Sequence, residues 1–282
     1  MNIAIASGKG GTGKTTISTN LAYYLAGRNI SVKYLDCDVE EPNGHLFLKP
    51  EITKKQPAFI PVPSIDESKC TGCGKCVQLC EYNALARLGK TVMVFAELCH
   101  GCGGCTLICP QNAITEHEKE IGFVESGKSG KTGFVHGRLK IGEAMSPPLI
   151  RSVLEKKDKD SVNIIDAPPG TSCPVIASVK NTDFIVLITE PTPFGLNDLG
   201  LAIETTKTIG IPFGVVINRA DKDNNDAEVF CKQRDVMILC EIPDDRSIAE
   251  AYSKGEMIID AIPQLRNIYA KLWEAIKEQV KK

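Results

Sequence analysis

Eight of the twelve cysteines fall between Cys70 and Cys109, and their spacing is the most chemically specific feature of the chain. They form two runs, Cys70, Cys73, Cys76 and Cys80, then Cys99, Cys102, Cys105 and Cys109, each member of the first recurring 29 residues later. The neighbours recur with them. Thr71-Gly72-Cys73-Gly74 matches His100-Gly101-Cys102-Gly103, and Tyr82-Asn83-Ala84-Leu85 matches Gln111-Asn112-Ala113-Ile114, so the segment is an internal duplication. Three thiolates on one tight loop can cap three irons of a cube, while the fourth iron needs a ligand from elsewhere. Glycines 72, 74, 101, 103 and 104 let backbone approach inorganic sulfide and offer it N–H donors. Two zinc sites of four cysteines each are the structural rival, but zinc sites normally pair two C-x2-C knuckles.

A second constellation lies at the N-terminus. After the strand-like run Asn2 to Ala6 comes Ser7-Gly8-Lys9-Gly10-Gly11-Thr12-Gly13-Lys14-Thr15-Thr16, followed by an apolar helical pattern at Ile17, Leu21, Tyr24 and Leu25. Gly8 to Thr15 fits G-x-x-x-x-G-K-[ST]. In that loop the backbone N–H groups of Gly10, Gly11, Thr12, Gly13, Lys14, Thr15 and Thr16 are expected to cradle phosphates. Lys14 reaches the outer phosphate oxygens, and the Thr15 hydroxyl ligates Mg²⁺. The same stretch reads as G-x-G-x-x-G, with Asp36 about where a ribose-binding acid would fall. A dinucleotide turn, however, has no use for Lys14 and Thr15.

Both constellations carry resemblances. The spacing C-x2-C-x2-C-x3-C, with Pro110 after the second run, resembles two-cluster bacterial ferredoxins. That resemblance implies one [4Fe–4S] cluster on Cys70, Cys73, Cys76 and Cys109 and a second on Cys99, Cys102, Cys105 and Cys80. Glu81, standing where the second run has proline, departs from the pattern without touching a ligand and would lower a nearby cluster's potential. The form Lys9-Gly-Gly-Thr-Gly-Lys14-Thr resembles the deviant Walker A motif of the MinD/ParA/nitrogenase iron protein superfamily of P-loop ATPases. In that family the early lysine, here Lys9, reaches across a dimer interface to the partner's nucleotide.

Other landmarks follow in the order this resemblance implies. Val32 to Asp38 reads as a buried strand ending in acids; Asp38 matches the catalytic switch aspartate, with Asp36 supporting it near Mg²⁺. Val162 to Asp166, followed by Ala167-Pro168-Pro169-Gly170, resembles Walker B, so Asp166 would orient the Mg²⁺ shell and Gly170 would turn an N–H toward the γ-phosphate. Asn218 and Arg219 end an adenine-side strand, and Ile242-Pro243-Asp244 would close over the base, with Pro243 in contact. The match extends over nearly the whole length. It implies ATP/ADP and Mg²⁺ binding, a nucleotide-sandwich homodimer and slow hydrolysis gated by closure. Nucleotide-gated electron transfer to an unidentified redox partner protein is the leading expectation. An iron–sulfur assembly or carrier ATPase, and a MinD-like positioning switch with redox-sensing clusters, are the alternatives.

The elements that must hold these residues can be read from periodicity. Strand-like runs at 2–6, 32–36, 162–165, 184–188, 213–217 and 236–240 alternate with helical patterns at 15–26, 148–157, 197–208, 226–234, 247–254 and 264–280. The expected fold is α/β, a doubly wound, mostly parallel sheet with an inserted ferredoxin-like α+β domain. The ATPase domain would comprise 1–61 and 119–282 and the insertion 62–118, with Pro57, Pro61 and Pro63 at its entrance. Gly127 to Gly133 imitates a second phosphate loop, but Glu125 replaces the leading glycine and no apolar helix follows, so a hairpin tip is expected. Leu265, Ile268, Leu272, Trp273, Ile276 and Val280 form a helical stripe that is expected to pack on the sheet rather than on membrane.

Composition narrows the setting. A formal net charge of −2 gives no electrostatic case for nucleic acid or anionic lipid as the main partner. No run approaches the roughly 20 apolar residues of a membrane helix. The chain enters its first strand with no basic leader, which points to a reducing cytoplasm and argues against disulfides. Cys37, Cys173, Cys231 and Cys240 read mostly as small core residues. Cys173, just past the Walker B segment, lies loosely where the nitrogenase iron protein has a ligand for its bridging cluster, and is not assigned as one. His100, within a cysteine loop, suits hydrogen bonding to a cluster more than ligation.

Overall fold

The computed structural model describes residues 1–281. Five strands follow the buried apolar runs: β1 (Asn2–Ala6), β2 (Val32–Asp36), then, after a long excursion, β8 (Val162–Asp166), β9 (Phe184–Thr189) and β10 (Phe213–Ala220), with β11 (Ile238–Pro243) at the edge. The excursion contributes β3 (Glu51–Ile65), β4 (Leu85–Leu88), β5 (Thr91–Val94), β6 (Ile114–Ser129) and β7 (Thr132–Leu139). The nine-stranded sheet has the order β11-β10-β9-β1-β8-β2-β7-β6-β3. Pairings from β11 to β7 are parallel; β6 and β3 are antiparallel. The order reverses at β1, where doubly wound sheets bind ligands beyond their strand ends.

Period-two alternation splits the core. Ile3, Ile5, Tyr34, Phe134 and Ile164 face α1 (Lys14–Gly27), α2 (Gly44–Leu48), α10 (Ile258–Ala261) and α11 (Arg266–Val280). Ala4, Ala6, Leu35, Val135 and Ile165 face α5 (Pro147–Leu154), α6 (Cys173–Val179), α7 (Pro193–Ile209) and α8 (Asp226–Gln233). On α11, Tyr269, Leu272, Trp273 and Ile276 are buried in the first of these layers, so the helix's apolar stripe packs on the sheet. Each such side chain contributes roughly 1.5–3 kcal/mol. Cys37 and Cys231 are core residues of the second layer, whereas Cys173 is exposed at the start of α6. Helix α6 itself is absent from the periodicity reading, because seven residues are too few to establish a period.

Between β2 and β8 the sheet grows a ribbon. β3 and β6 pair from Glu51–Lys128 to Ile65–Ile114 and run unbroken across residues 61–62 and 118–119, so one ribbon belongs to the main sheet at one end and to the cysteine segment at the other. Pro57, Pro61 and Pro63, expected at the entrance to the insertion, lie within β3, the strand that leads into the cysteine segment. They are tolerated because β3 is the edge strand, and their missing N–H groups cost no ladder bond when they fall on its unpaired side. Gly130 and Lys131 form the tip joining β6 to β7, as expected of a hairpin. Residues 66–113 hang from the ribbon's far end and contain α3 (Lys75–Leu79), the β4–β5 hairpin and α4 (Gly104–Ile108). Remaining helix α9 (Arg246–Ser253) follows β11.

Candidate functional site

The loop after β1 turns sharply into α1. Gly13 occupies the left-handed region (φ 92°), and a Cβ there would sit 2.4 Å from the Asn218 amide nitrogen. That amide donates to the Thr12 carbonyl at 2.8 Å, tying the end of β10 to the phosphate loop. Gly10, Gly11, Gly13, Lys14, Thr15 and Thr16 line a cavity of about 470 Å³ together with Asp38, Asn218, Arg219 and Pro243. Most residues named from the sequence for nucleotide binding thus border one cavity; Thr12 and Asp166, both buried, do not line it. Ile248, Ala249 and Tyr252 of α9 complete its apolar end and carried no sequence signal.

Beneath the loop lies an acidic floor. Asp36 and Asp166 are paired in register on β2 and β8 and both are buried. The Asp36 carboxylate accepts from the N–H groups of Gly44 (2.9 Å) and Asp38 (3.2 Å), which fixes the start of α2 and the chain after β2. Tyr34, itself buried, donates to Asp166 Oδ2 at 2.8 Å and lies 3.2 Å from the Ser18 hydroxyl. Asp166 Oδ1 is buried without a hydrogen-bond partner. Burial first, and the Asp166 charge second, hold Asp36 well above the usual carboxylate range. Burial raises Asp166 too, against the pull of Lys14 and the hydroxyls of Tyr34, Thr15 and Ser18. Burial pushes the Asp38 carboxyl up to about 6, opposed by the Lys14 ammonium and reinforced by Asp166. A cation delivered beside Thr15 would meet an orphaned carboxylate oxygen, so the donor set fits Mg²⁺.

Two further residues named from the sequence are engaged elsewhere in the single chain. Lys9 is not on the cavity wall; its ammonium pairs with Glu190, which also accepts from Arg219 Nη1 at 3.1 Å. The Gly170 N–H donates to the Ser7 carbonyl (3.0 Å) and is therefore engaged within the chain, not free to face a phosphate. Glu190 was missed by the sequence reading. Its signal was available, because it follows an apolar strand directly, as Asp36 and Asp166 end theirs.

The cysteine segment preserves its duplication in backbone conformation. Gly72 and Gly101, Gly74 and Gly103, and Asn83 and Asn112 all have positive φ in matching pairs. Cys70, Cys73, Cys76 and Cys109 line one cavity. Cys80, Cys99, Cys102 and Cys105 line another, which Cys76 also borders. N–H groups of Gly101 and Ala113 point at Cys99 Sγ (3.4 Å) and Cys109 Sγ (3.3 Å). Among the described residues no three Cys, His, Asp or Glu side chains converge on a single point as one ion would require. Two rings of thiols around cavities, with amide donors to sulfur, form a donor set that fits iron–sulfur cubes. The Cys99 side is joined to the main core through Ile60 and Val62, while Cys76 belongs to a small separate cluster with Leu85, Val92 and Ile114. His100 stacks on Tyr82 with ring centroids 3.3 Å apart and borders the second cavity.

A family model described as the CobQ/CobB/MinD/ParA nucleotide binding domain matches residues 3–258. Two uncharacterized proteins of Methanocaldococcus jannaschii are 34% and 31% identical over 282 and 268 residues, covering 99% and 92% of this chain and 97% and 91% of their own. A protein of Aquifex aeolicus named iron-sulfur cluster carrier protein is 27% identical over 276 residues, 93% of this chain and 62% of that one. Among solved structures, the cell division ATPase MinD of Pyrococcus furiosus aligns over 98% of both chains with a TM-score of 0.60 at 22% identity, a likeness of fold.

Proposed function

Because the chain belongs to the CobQ/CobB/MinD/ParA nucleotide-binding family, we propose that it is an ATP-hydrolysing homodimer of the MinD type whose nucleotide state controls electron transfer through two [4Fe–4S] clusters. Lys14 and the loop N–H groups would bind the phosphates, and Thr15 with Asp166 would hold Mg²⁺. Asp38, with its carboxyl near 6, would take the proton of the attacking water. Asn218, Arg219 and Pro243 would flank the base. Cys70, Cys73, Cys76 and Cys109 would hold one cluster and Cys80, Cys99, Cys102 and Cys105 the other. When bound, these groups supply one-electron carriers.

The observation that favours electron transfer over delivery is that one chain brings four thiols to each of two cavities, Cys70, Cys73, Cys76 and Cys109 at one and Cys80, Cys99, Cys102 and Cys105 at the other, with Cys76 bordering both. A cluster with four thiolate ligands is a resident group, whereas cargo needs a labile or shared ligand. The ribbon β3–β6 supplies the mechanical link, since it is paired through β7 to β2, whose end leads to Asp38. The name of the Aquifex relative favours a second reading, a cluster carrier. Anaerobic incubation with ATP and an apo-acceptor separates the two. Iron and acid-labile sulfide that stay near eight each per chain through turnover support electron transfer; loss to the acceptor supports the carrier. A Lys14→Ala chain, unable to bind nucleotide, is the control, in which iron and sulfide should stay in place under either reading.

A further inference from the structure

Glu190 has no part in the nucleotide chemistry above, yet it is a buried carboxylate (7% exposed) shared by two cations at the mouth of the phosphate loop. Both ends of the contact are rigid. The Lys9 carbonyl accepts from the Ser7 hydroxyl (2.6 Å), and a Cβ on neighbouring Gly8 would lie 2.1 Å from the Asp198 carbonyl oxygen of α7, so the backbone below Lys9 is wedged in place. The Glu190 carbonyl accepts from the Thr192 N–H (2.8 Å) where α7 begins. A Cβ on Gly195 would sit 2.4 Å from that same oxygen. Arg219 is held with φ at +54°, a conformation that costs a non-glycine residue free energy and persists where surroundings impose it. Only side-chain rotation can make or break this contact.

We propose that Glu190 is a latch that retains Lys9 within its own protomer, and that Arg219 is the counter-cation that lets the latch open. The inference rests on the sandwich reading, in which Lys9 must leave its own chain's surface for the partner's phosphates. A lone Lys9–Glu190 pair would resist opening, because departure of the lysine strands a buried carboxylate. With Arg219 still bonded to Glu190, the carboxylate keeps a charged partner when Lys9 swings out. The partner's triphosphate then competes with Glu190 for one ammonium, and a protomer whose partner holds no nucleotide keeps Lys9 folded back. Glu190 and Arg219 are thus positioning residues for dimer closure. Their chemistry predicts opposite signs on substitution, which a purely structural role would not give.

The test is ATP-dependent dimerisation of the anaerobically prepared full chain, followed by sedimentation velocity across an ATP titration, with nucleotide affinity of the monomer measured in parallel. Glu190→Gln should tighten the dimer about thirtyfold, about 2 kcal/mol over the two protomers, because the ion pair no longer opposes closure in either of them. Arg219→Gln should loosen it several-fold, Glu190→Gln/Arg219→Gln should behave as Glu190→Gln alone, and Glu190→Asp, which keeps the charge with a shorter reach, should fall between wild type and Glu190→Gln. Wild type that dimerises while Glu190→Gln is unchanged or weaker, with Glu190→Asp likewise flat, overturns the latch alone. A wild-type chain that stays monomeric at saturating ATP overturns the sandwich and the latch together.

Discussion

Removing the Tyr34 hydroxyl isolates the acidic floor from everything else. The ring is fully buried and stacks near Phe134, with centroids 5.8 Å apart, so Tyr34→Phe keeps the packing and deletes one oxygen. That oxygen donates to Asp166 Oδ2, and Asp166 Oδ1 already lacks a partner. Ser18 is not orphaned, because its hydroxyl also donates to the Thr15 carbonyl at 3.1 Å. The loss is therefore one hydrogen bond to a buried carboxylate, about 1.5–3 kcal/mol. For 282 residues this lowers Tm by roughly 3–5 °C. Mg²⁺ with a nucleotide should recover much of that deficit, beyond the stabilisation that ligand gives both chains, since the bound cation supplies Asp166 with the partner the missing hydroxyl no longer provides. Differential scanning calorimetry with and without Mg·ADP provides the readout. A Tm within a degree of wild type without ligand would refute the view of Tyr34 as the support of Asp166. A deficit that Mg·ADP leaves untouched would refute the view of Asp166 as part of the metal site.

Further outcomes follow from single positions. Asp38→Asn should leave nucleotide binding intact and reduce turnover by about 10²–10⁴. Wild-type turnover should fall as pH drops through about 6, where the Asp38 carboxylate takes up its proton; a flat profile between pH 5 and 7.5 removes the role. Gly101→Ala places a Cβ 3.0 Å from Pro61 Cδ and 3.1 Å from Ile60 Cβ at a φ of +65°, so iron content should fall from about eight to about four per chain through loss at the Cys99 set. Retention of all the iron contradicts the assignment. Burial lowers the pKa of His136, whose Nε2 pairs with Glu125 at 2.7 Å. The unfolded chain therefore binds this proton more readily, and stability should decline as pH falls below the free imidazole value of about 6.5. His136→Gln should flatten that decline in melts between pH 7 and 5, and an unchanged slope speaks against the buried neutral imidazole.

How much of this was legible in the sequence depends on how local each signal is. Strands such as Asn2–Ala6 and Val32–Asp36 announce themselves because parallel strands buried on both faces are continuous apolar runs, and the acids and glycines at their ends mark where a ligand binds. The two cysteine runs were visible because a duplication repeats their spacing, while the exchange of Cys80 and Cys109 between the sets came from the ferredoxin resemblance. Edge position is not local: Pro57, Pro61 and Pro63 do not read as strand residues until β3 is known to have a neighbour on one side only. The same is true of Tyr34, whose hydroxyl matters only because Asp166, distant in sequence, lies beside it. Gly170 is a plausible N–H donor whose partner within the chain, the Ser7 carbonyl, can be identified only in the folded structure.

The central claim is that closure of the ATPase and the state of the cysteine segment influence each other, and an anaerobic potentiometric titration of the full chain, with and without ATP held by Asp38→Asn, tests it most directly. A coupling of about 1–3 kcal/mol moves a one-electron midpoint by roughly 40–130 mV, and the account predicts a shift of that size for at least one centre. Midpoints that coincide with and without nucleotide, in a chain that demonstrably binds both, would contradict it.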